Sequence, residues 1–151
     1  MSALVDIQAG DFAFVARLEE ALAPRTCELF RRMTPYEDKL IHVRWSGEGC
    51  WIPMGQTTFD LPWENHTCYP RPGQLIFYPG GLSETEILLA YGEVCFSSRY
   101  GQLPGNGFLT IVEGTENLAR LGRAALWGGA QAIRFSIRSP EMSLAPAAIG
   151  D

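Results

Sequence analysis

The amino-acid sequence predicts a single, mainly β domain with two short α-helices, folded as a closed β-barrel. Three observations indicate this fold. About eight short segments alternate between apolar and polar residues or are wholly apolar, tight turns rich in glycine and proline separate them, and only two stretches show helical spacing. Closing a sheet into a barrel removes its exposed edges, which suits a chain of many short strands. We expect residues 1–139 to form the barrel and residues 140–151 an Ala/Pro-rich C-terminal tail.

The strands are predicted from apolar alternation and from the turns that bound them. A hairpin opens the chain around the turn at 9–11, and its second arm is largely apolar. A second pair of strands is expected, one on each side of the Pro79-Gly80-Gly81 turn. In chain order, the predicted strands lie at 4–8, 12–18, 41–45, 50–52, 74–78, 86–91, 94–97, 108–112 and 130–138.

Two helices and two loops complete the prediction. The first helix begins at Ala23-Pro24, because proline is tolerated in a first helical turn, and ends at Thr34-Pro35. The second helix covers 115–123. Segment 55–73 contains three prolines and is expected to be a long ordered loop, a type of segment that is often functional. Segment 101–107 is expected to be a glycine-rich loop.

Composition excludes some classes of function. The net charge is −5 with no basic run, so the chain offers nucleic acid no electrostatic footprint. No stretch is apolar enough to span a membrane, and the N-terminal residues lack the features of a signal peptide, so a cytoplasmic location is expected. The four cysteines are scattered and are expected to be free thiols.

Candidate catalytic residues cluster around His66, one of two histidines in the chain. Imidazole exchanges protons near neutral pH, and a nearby carboxylate would orient it. Glu64 projects the same way as His66 if the segment is extended, and Glu86 is the second candidate acid or base, sharing a face with Glu84. Asn106 is a candidate oxyanion donor.

Alternatives to this acid–base site stay open. His66 with Glu64, Glu84 and Glu86 offers ligands for zinc, manganese or iron, although the spacing is not a metal signature and no cofactor is expected. Cys68 lies two residues from His66 and could act as a thiol nucleophile. Otherwise His66 packs against Trp63 and the glutamates are solvated.

Aromatic residues are expected to form the walls of a small-molecule pocket at the mouth of the barrel. The pocket is predicted between three loops, at 63–69, 78–86 and 101–107. The same aromatic surface makes a homodimer plausible. The candidate ligand-binding residues are Trp45, Trp51, Trp63, Tyr78 and Tyr91.

Several motifs resemble a known superfamily. The run from Ala23 to Phe30 and the run from Phe108 to Gly114 resemble the first helix and a late strand of cyclophilins. The motifs Glu64-Asn65-His66, Pro72-Gly73-Gln74 and Tyr78-Pro79-Gly80-Gly81 resemble an uncharacterised bacterial domain-of-unknown-function family with that fold. The resemblance implies a cyclophilin-like barrel over most of the chain and carries no assigned chemistry.

Prolyl isomerase activity is not expected. Segment 41–47 does not reproduce the Phe-His-Arg-type order of true cyclophilins, and fold alone does not transfer function. The predicted function is therefore acid–base catalysis on a small carbonyl or amide compound by a hydrolase, lyase or isomerase. The alternative is a non-catalytic binding domain or an accessory subunit.

Overall fold

The computed structural model describes residues 2–139. Two α-helices, α1 (Pro24–Met33) and α2 (Leu118–Gly128), occur in this part of the chain, and a 3-10 turn at Thr115–Asn117 leads into α2. The strands of this part are β1 (Leu4–Ala9), β2 (Phe12–Leu18), β3 (Tyr36–His42), β4 (Gly47–Pro53), β5 (His66–Thr67), β6 (Gln74–Tyr78), β7 (Glu86–Val94), β8 (Ser97–Ser98), β9 (Gly101–Gln102), β10 (Gly105–Glu113) and β11 (Gln131–Ile137).

Eight of these strands form a closed antiparallel barrel, which confirms the predicted fold class. They run in the order β2-β1-β11-β3-β4-β7-β6-β10, and β10 pairs with β2 to complete the ring. At this junction Leu18 lies opposite Leu109 and Ala16 opposite Ile111. The main-chain N–H of Glu19 then donates to the carbonyl of Phe108 at 2.9 Å. The barrel therefore has no long free edge.

The main core fills the barrel and takes side chains from both helices. Successive side chains on a strand point to opposite faces, so Ile87 and Leu89 enter this core while their neighbours do not. Phe30 of α1 packs edge-to-face on Phe108 and Phe135, with ring centroids 5.0 and 5.3 Å apart. Leu121 of α2 is fully buried in the same core. Burying each of these large side chains contributes about 1.5–3 kcal/mol.

A second, smaller core covers the outer face of three barrel strands. The polypeptide from 94 to 103 folds over this face, and its buried Phe96 packs edge-to-face against Tyr78 with ring centroids 6.0 Å apart. Leu88 and Ala90 of β7 belong to this core. Because Glu86 is two residues from Leu88 on the same strand, its side chain also lies on the outer face.

The structure corrects several predicted boundaries. β3 covers Tyr36–His42 instead of 41–45, because its pairing with β11 starts at Tyr36 and its pairing with β4 ends at His42. The predicted 101–107 loop is shorter than expected, since β10 already begins at Gly105. α2 begins later and extends to Gly128. The predicted tail at 140–151 lies outside the described residues.

None of the helices in the described part of the chain is long and apolar enough to cross a membrane.

Candidate functional site

A pocket of about 410 Å³ opens beside the second core, on the outside of the barrel wall. We call it the tryptophan pocket. It is lined by Val43, Arg44, Trp45, Ser46, Trp51, Gln56, Gly81, Leu82, Ser83, Glu84, Glu86, Ser97, Ser98, Arg99 and Tyr100. These residues come from the β3–β4 loop, β4 and the segment after it, the β6–β7 turn, the start of β7 and the chain around β8, so the pocket does not lie at the mouth of the barrel.

Aromatic rings and arginines make up much of the pocket wall. Trp45 and Tyr100 are more than half exposed, and Trp51 is partly buried beside them. The Arg44 guanidinium lies 6.0 Å from the Trp45 ring, and the Arg99 guanidinium lies 5.6 Å from the Tyr100 ring. Such stacking holds each cation against an aromatic face while leaving its N–H groups available.

Glu86 is the buried carboxyl of the pocket. Its side chain belongs to a residue that is only 7% exposed, and the described residues give that carboxyl no hydrogen-bond or ion-pair partner. Burial, together with the nearby charge of Glu84, raises the pKa of Glu86 to about 8. At neutral pH the group is therefore mostly protonated, so it is able to donate a hydrogen bond as well as accept one.

Glu84 lines the same pocket from the preceding turn. Its Oε2 accepts a hydrogen bond from the main-chain N–H of Gly55 at 3.1 Å, which ties the β6–β7 turn to the end of β4. The sequence predicted that Glu84 and Glu86 would share a face, and both indeed line one pocket. Two carboxyl groups in one cavity favour the protonated form of the more buried one.

His66 lies elsewhere. It is exposed on β5, with its ring tilted against that of Trp63 at a centroid distance of 5.8 Å, and it does not line the tryptophan pocket. The prediction that Glu64 and His66 project the same way required an extended chain. Asn65, between them, instead adopts a φ of 48°, in the left-handed region, so the alternation is broken.

Glu64 and Asn106 hold the N-terminus of α1. The main-chain N–H of Thr26 donates to Glu64 Oε2 at 2.7 Å, and the N–H of Glu64 donates to Asn106 Oδ1 at 3.2 Å. The fully buried Asn106 amide donates to Thr26 Oγ1 at 3.0 Å and to the Pro62 carbonyl at 2.9 Å. The structure does not bring these residues to the pocket that contains Glu86, and their catalytic role stays a prediction.

The five predicted aromatic residues are divided between several places. Trp45 and Trp51 line the tryptophan pocket, and Trp63 packs beside His66. The Tyr78 hydroxyl accepts hydrogen bonds from two main-chain N–H groups of the β6–β7 turn, at 3.1 and 3.2 Å. Tyr91 pairs its hydroxyl with His42 Nε2 at 2.8 Å. Tyr78 thus shapes a turn at the pocket edge, whereas Tyr91 takes no part in the pocket lining.

Sequence reasoning missed the arginines and Tyr100. The alternation at 41–45 favours a solvated surface position for Arg44, and no pattern singles out Arg99. The available signal is that each arginine directly precedes an aromatic residue and lies within two residues of a serine, in Arg44-Trp45-Ser46 and Ser98-Arg99-Tyr100. Only the fold of 94–103 over β7 shows that the two motifs meet.

Other candidate sites carry less chemistry. Within residues 2–139, no three His, Cys, Asp or Glu side chains are grouped so that they could hold a metal ion. A broad depression of about 670 Å³ along β1, β2 and β11 is lined by several charged residues. There Arg138 is held by Asp6 in a two-pronged ion pair at 2.9–3.1 Å, so its donors are already engaged.

Comparison with known proteins places the chain in a family. The model of a family described as "Protein of unknown function (DUF3830)" matches residues 5–137. No curated protein matches the chain.

Solved structures share the fold at low sequence identity. McbB, in a structure described as a complex with tryptophan, is 16% identical over 87% of this chain with a TM-score of 0.67. The chain spans 44% of the length of McbB. The hypothetical protein AF2241 from Archaeoglobus fulgidus is 14% identical, with a TM-score of 0.60 over 89% of this chain and 94% of its own. At these identities the likeness shows the fold alone.

Proposed function

The chain belongs to the DUF3830 family, and we propose that it binds a small, planar organic molecule in the tryptophan pocket. The observation that carries this proposal is the Trp51 indole N–H, a buried donor for which residues 2–139 provide no hydrogen-bond partner, in the same pocket as Trp45 and the 7%-exposed Glu86. A buried polar group left unsatisfied costs about 1–3 kcal/mol, and such groups are retained mainly where they serve a function. A ligand would supply the missing hydrogen bond.

The shape and lining of the pocket support a small aromatic or cyclic ligand. Its volume of about 410 Å³ lies toward the lower end of the range for small-molecule sites. Trp45 and Trp51 offer flat apolar surfaces, and Ser46, Ser97 and Ser98 offer hydroxyl groups that fix orientation. The structurally similar McbB, described in complex with tryptophan, also supports a ligand of this size and kind.

The proposed activity is acid–base chemistry on a carbonyl or amide compound, with Glu86 donating or accepting the proton. A catalytic group works best when its pKa lies near the working pH, and the pKa of Glu86 is raised to about 8. Glu84 is the second carboxyl in reach of the same cavity. Hydrolase, lyase and isomerase chemistry are all compatible with this pair, while prolyl isomerase activity stays disfavoured.

The second candidate is a binding domain without catalysis, or an accessory subunit. It is favoured by the absence from the pocket lining of His66, Glu64 and Asn106, which were to complete an acid–base site. A pocket that only binds would need the aromatic walls and Glu86 but no second proton-transfer group. A homodimer and a cytoplasmic location stay predictions from the sequence.

Tryptophan fluorescence tests the proposed pocket. We expect members of a panel of small aromatic compounds, neutral, anionic, cationic and zwitterionic, to change the emission of the protein. Trp45→Ala should weaken binding by about tenfold or more, because it removes a wall of the pocket. Trp127→Ala is the matched control, since Trp127 is 83% exposed on α2 and does not line the pocket. Equal effects of the two substitutions, or no response to any compound, would reject the pocket.

The same compounds then separate the two candidate functions. Each compound that binds is incubated with the protein and followed by mass spectrometry. If Glu86 is the acid or base, Glu86→Gln should lower turnover by about a hundredfold or more at saturating concentrations of the compound. Glu93→Gln, at an exposed glutamate of the same strand, should leave turnover unchanged. Binding without turnover in the unmodified protein would favour the non-catalytic candidate.

A further inference from the structure

Charged groups of both signs line the tryptophan pocket. Arg44 lies in the β3–β4 loop and Arg99 in the β8–β9 turn, whereas Glu84 and Glu86 belong to the β6–β7 turn and the start of β7. The two arginines thus come from different segments of chain than the two glutamates, and all four line one cavity.

Neither arginine is neutralised by an acidic group of residues 2–139. The ion pairs of this part of the chain engage Arg17, Arg31, Arg134 and Arg138 and leave out Arg44 and Arg99. Each of the two instead lies over the aromatic ring of the next residue. Seven of the eleven arginines among residues 2–139 form no ion pair, and Arg44 and Arg99 are the two of these that line the tryptophan pocket. A ligand carboxylate fits them, because guanidinium groups bind carboxylates through paired N–H···O bonds.

The two glutamates would be complemented by a cationic group of the ligand. Glu84 receives one hydrogen bond from Gly55, and the Glu86 carboxyl receives none from the described residues. Neither glutamate forms an ion pair with Arg44 or Arg99 across the pocket. A cationic group of the ligand would give Glu86 the partner that it lacks and would relieve its repulsion by Glu84.

We propose that the ligand of the tryptophan pocket is a small zwitterion with a planar side chain, an aromatic amino acid or a close analogue. Its carboxylate binds Arg44 and Arg99, its ammonium binds Glu86 beside Glu84, and its ring packs on Trp45 and Trp51. The inference rests on the proposed function of this pocket, because it specifies the chemical class that the pocket accepts.

Binding of an ammonium group has a consequence for protons. The free protein holds Glu86 mostly protonated at neutral pH, since its pKa is raised to about 8. An ammonium at hydrogen-bonding distance favours the carboxylate, so binding releases up to one proton from Glu86. The titratable and charged groups that line the pocket together with Glu86 are Glu84, Arg44, Arg99 and Tyr100, and Tyr78 lies opposite Glu86 on β6; among them, Glu84 is the group whose charge raises the Glu86 pKa.

Isothermal titration calorimetry with matched probes tests the inference. Phenylalanine is compared with phenethylamine, which lacks the carboxylate, and with 3-phenylpropionate, which lacks the amine; tyrosine and tryptophan are compared with their corresponding analogues. At least one amino acid should bind about tenfold or more tightly than both of its analogues, because each charge-assisted hydrogen bond adds affinity. Titrations at pH 7 in two buffers of different ionisation enthalpy should show proton release with that amino acid and none with its deaminated analogue.

Two variants assign the charges. Glu86→Gln should bind the amino acid and its deaminated analogue with similar affinity and should abolish the proton release. Arg44→Gln should reduce the advantage over the decarboxylated analogue. Glu93→Gln, with its substitution outside the pocket, should behave like the unmodified protein in both respects.

The outcomes distinguish this inference from the proposed function. If neutral, purely anionic or purely cationic aromatic probes bind as tightly as every amino acid, the zwitterion inference is wrong while the pocket stands. The same holds if the amino acid binds without releasing a proton. If no probe of any charge binds, both the zwitterion inference and the proposed function are wrong. The comparison of probes on the unmodified protein does not depend on the folding of any variant.

Discussion

The Glu86 carboxyl is buried at the edge of the second core, where its charged form is disfavoured. Burial is the larger cause of its raised pKa, and the negative charge of Glu84 adds to it. In an unfolded chain both causes disappear, so the group returns to its ordinary acidity. The folded protein therefore binds the Glu86 proton more tightly than the unfolded protein does, and this difference makes stability depend on pH.

The first prediction concerns that dependence. Between about pH 5 and about pH 8 the folded state retains a proton that the unfolded state has released, so Glu86 lowers the free energy of unfolding as the pH rises. Glu86→Gln replaces the titrating carboxyl with a neutral amide, so the variant lacks this pH-dependent loss of stability. We expect the variant to gain stability relative to the unmodified protein as the pH rises across this range, by about 1 kcal/mol or more.

Urea unfolding at several pH values measures the effect. Glu93→Gln is the control, because Glu93 is exposed and its stability difference from the unmodified protein should not vary with pH in this way. A stability difference for Glu86→Gln that is constant from pH 5 to pH 8 would contradict a raised pKa.

At the scale of elements, helix α1 depends on a loop that lies far along the chain. Ala23 at its N-cap makes no side-chain hydrogen bond, and Pro24 opens the helix without an N–H group. Glu64 accepts from the Thr26 N–H in the first turn, where a negative charge also complements the helix dipole. Segment 55–73, predicted as a functional loop, thus stabilises the first turn of α1 through Glu64.

The second prediction tests this cap. Glu64→Ala should destabilise the protein by about 1 kcal/mol, since the Thr26 N–H loses its partner. Asn106→Ala should cost about 2 kcal/mol or more, because it leaves three buried or partly buried groups without their hydrogen bonds. Glu28→Ala, at an exposed position of the same helix, should have little effect. Thermal unfolding ranks the three, and equal values for Glu64→Ala and Glu28→Ala would reject the cap.

The elements also show how far sequence reasoning reaches. Alternation located most strands of the barrel, and the prolines correctly bounded α1. It failed at 41–45, where apolar residues alternate although the chain leaves the sheet after His42 and enters the pocket wall. It also failed between Glu64 and His66, because the left-handed Asn65 carries no reliable mark in a sequence. Local patterns predict strands, whereas single-residue backbone conformations depend on contacts such as the Asn65 amide donating to Gly107 O at 2.8 Å.

At the scale of the whole molecule, the barrel is closed by β2 and β10, which are far apart in the sequence. Their pairing includes Leu18 with Leu109, and the Thr110 hydroxyl donates to Glu19 Oε2 at 2.6 Å across the same junction. The sequence predicted closure from the number of short strands, but it did not show which strands meet. The same long-range folding brings Arg44 and Arg99 to one pocket, which explains why the candidate site was only partly predicted.

The third prediction tests closure. Because β2 pairs with both β1 and β10, its amides at 16–18 and the amide of Glu19 should resist hydrogen exchange about as well as those of β1. The two-residue strand β5, which pairs only with β10, should exchange much faster and provides the internal reference. Exchange at every second amide of β2 as fast as in β5 would indicate an open sheet.

The position of the tryptophan pocket outside the barrel wall has a consequence for how this scaffold can change. On strand β7, Ile87 and Leu89 face the main core, whereas Glu86 faces the pocket. Alternate positions of this strand are therefore constrained separately, by packing inside the barrel and by the pocket outside it. Ser97, Ser98, Arg99 and Tyr100 touch the pocket without belonging to the main core. If the pocket binds a ligand as proposed, mutation of that short stretch should alter ligand preference while the barrel interior stays constant, and libraries randomised there should yield folded proteins with new specificities.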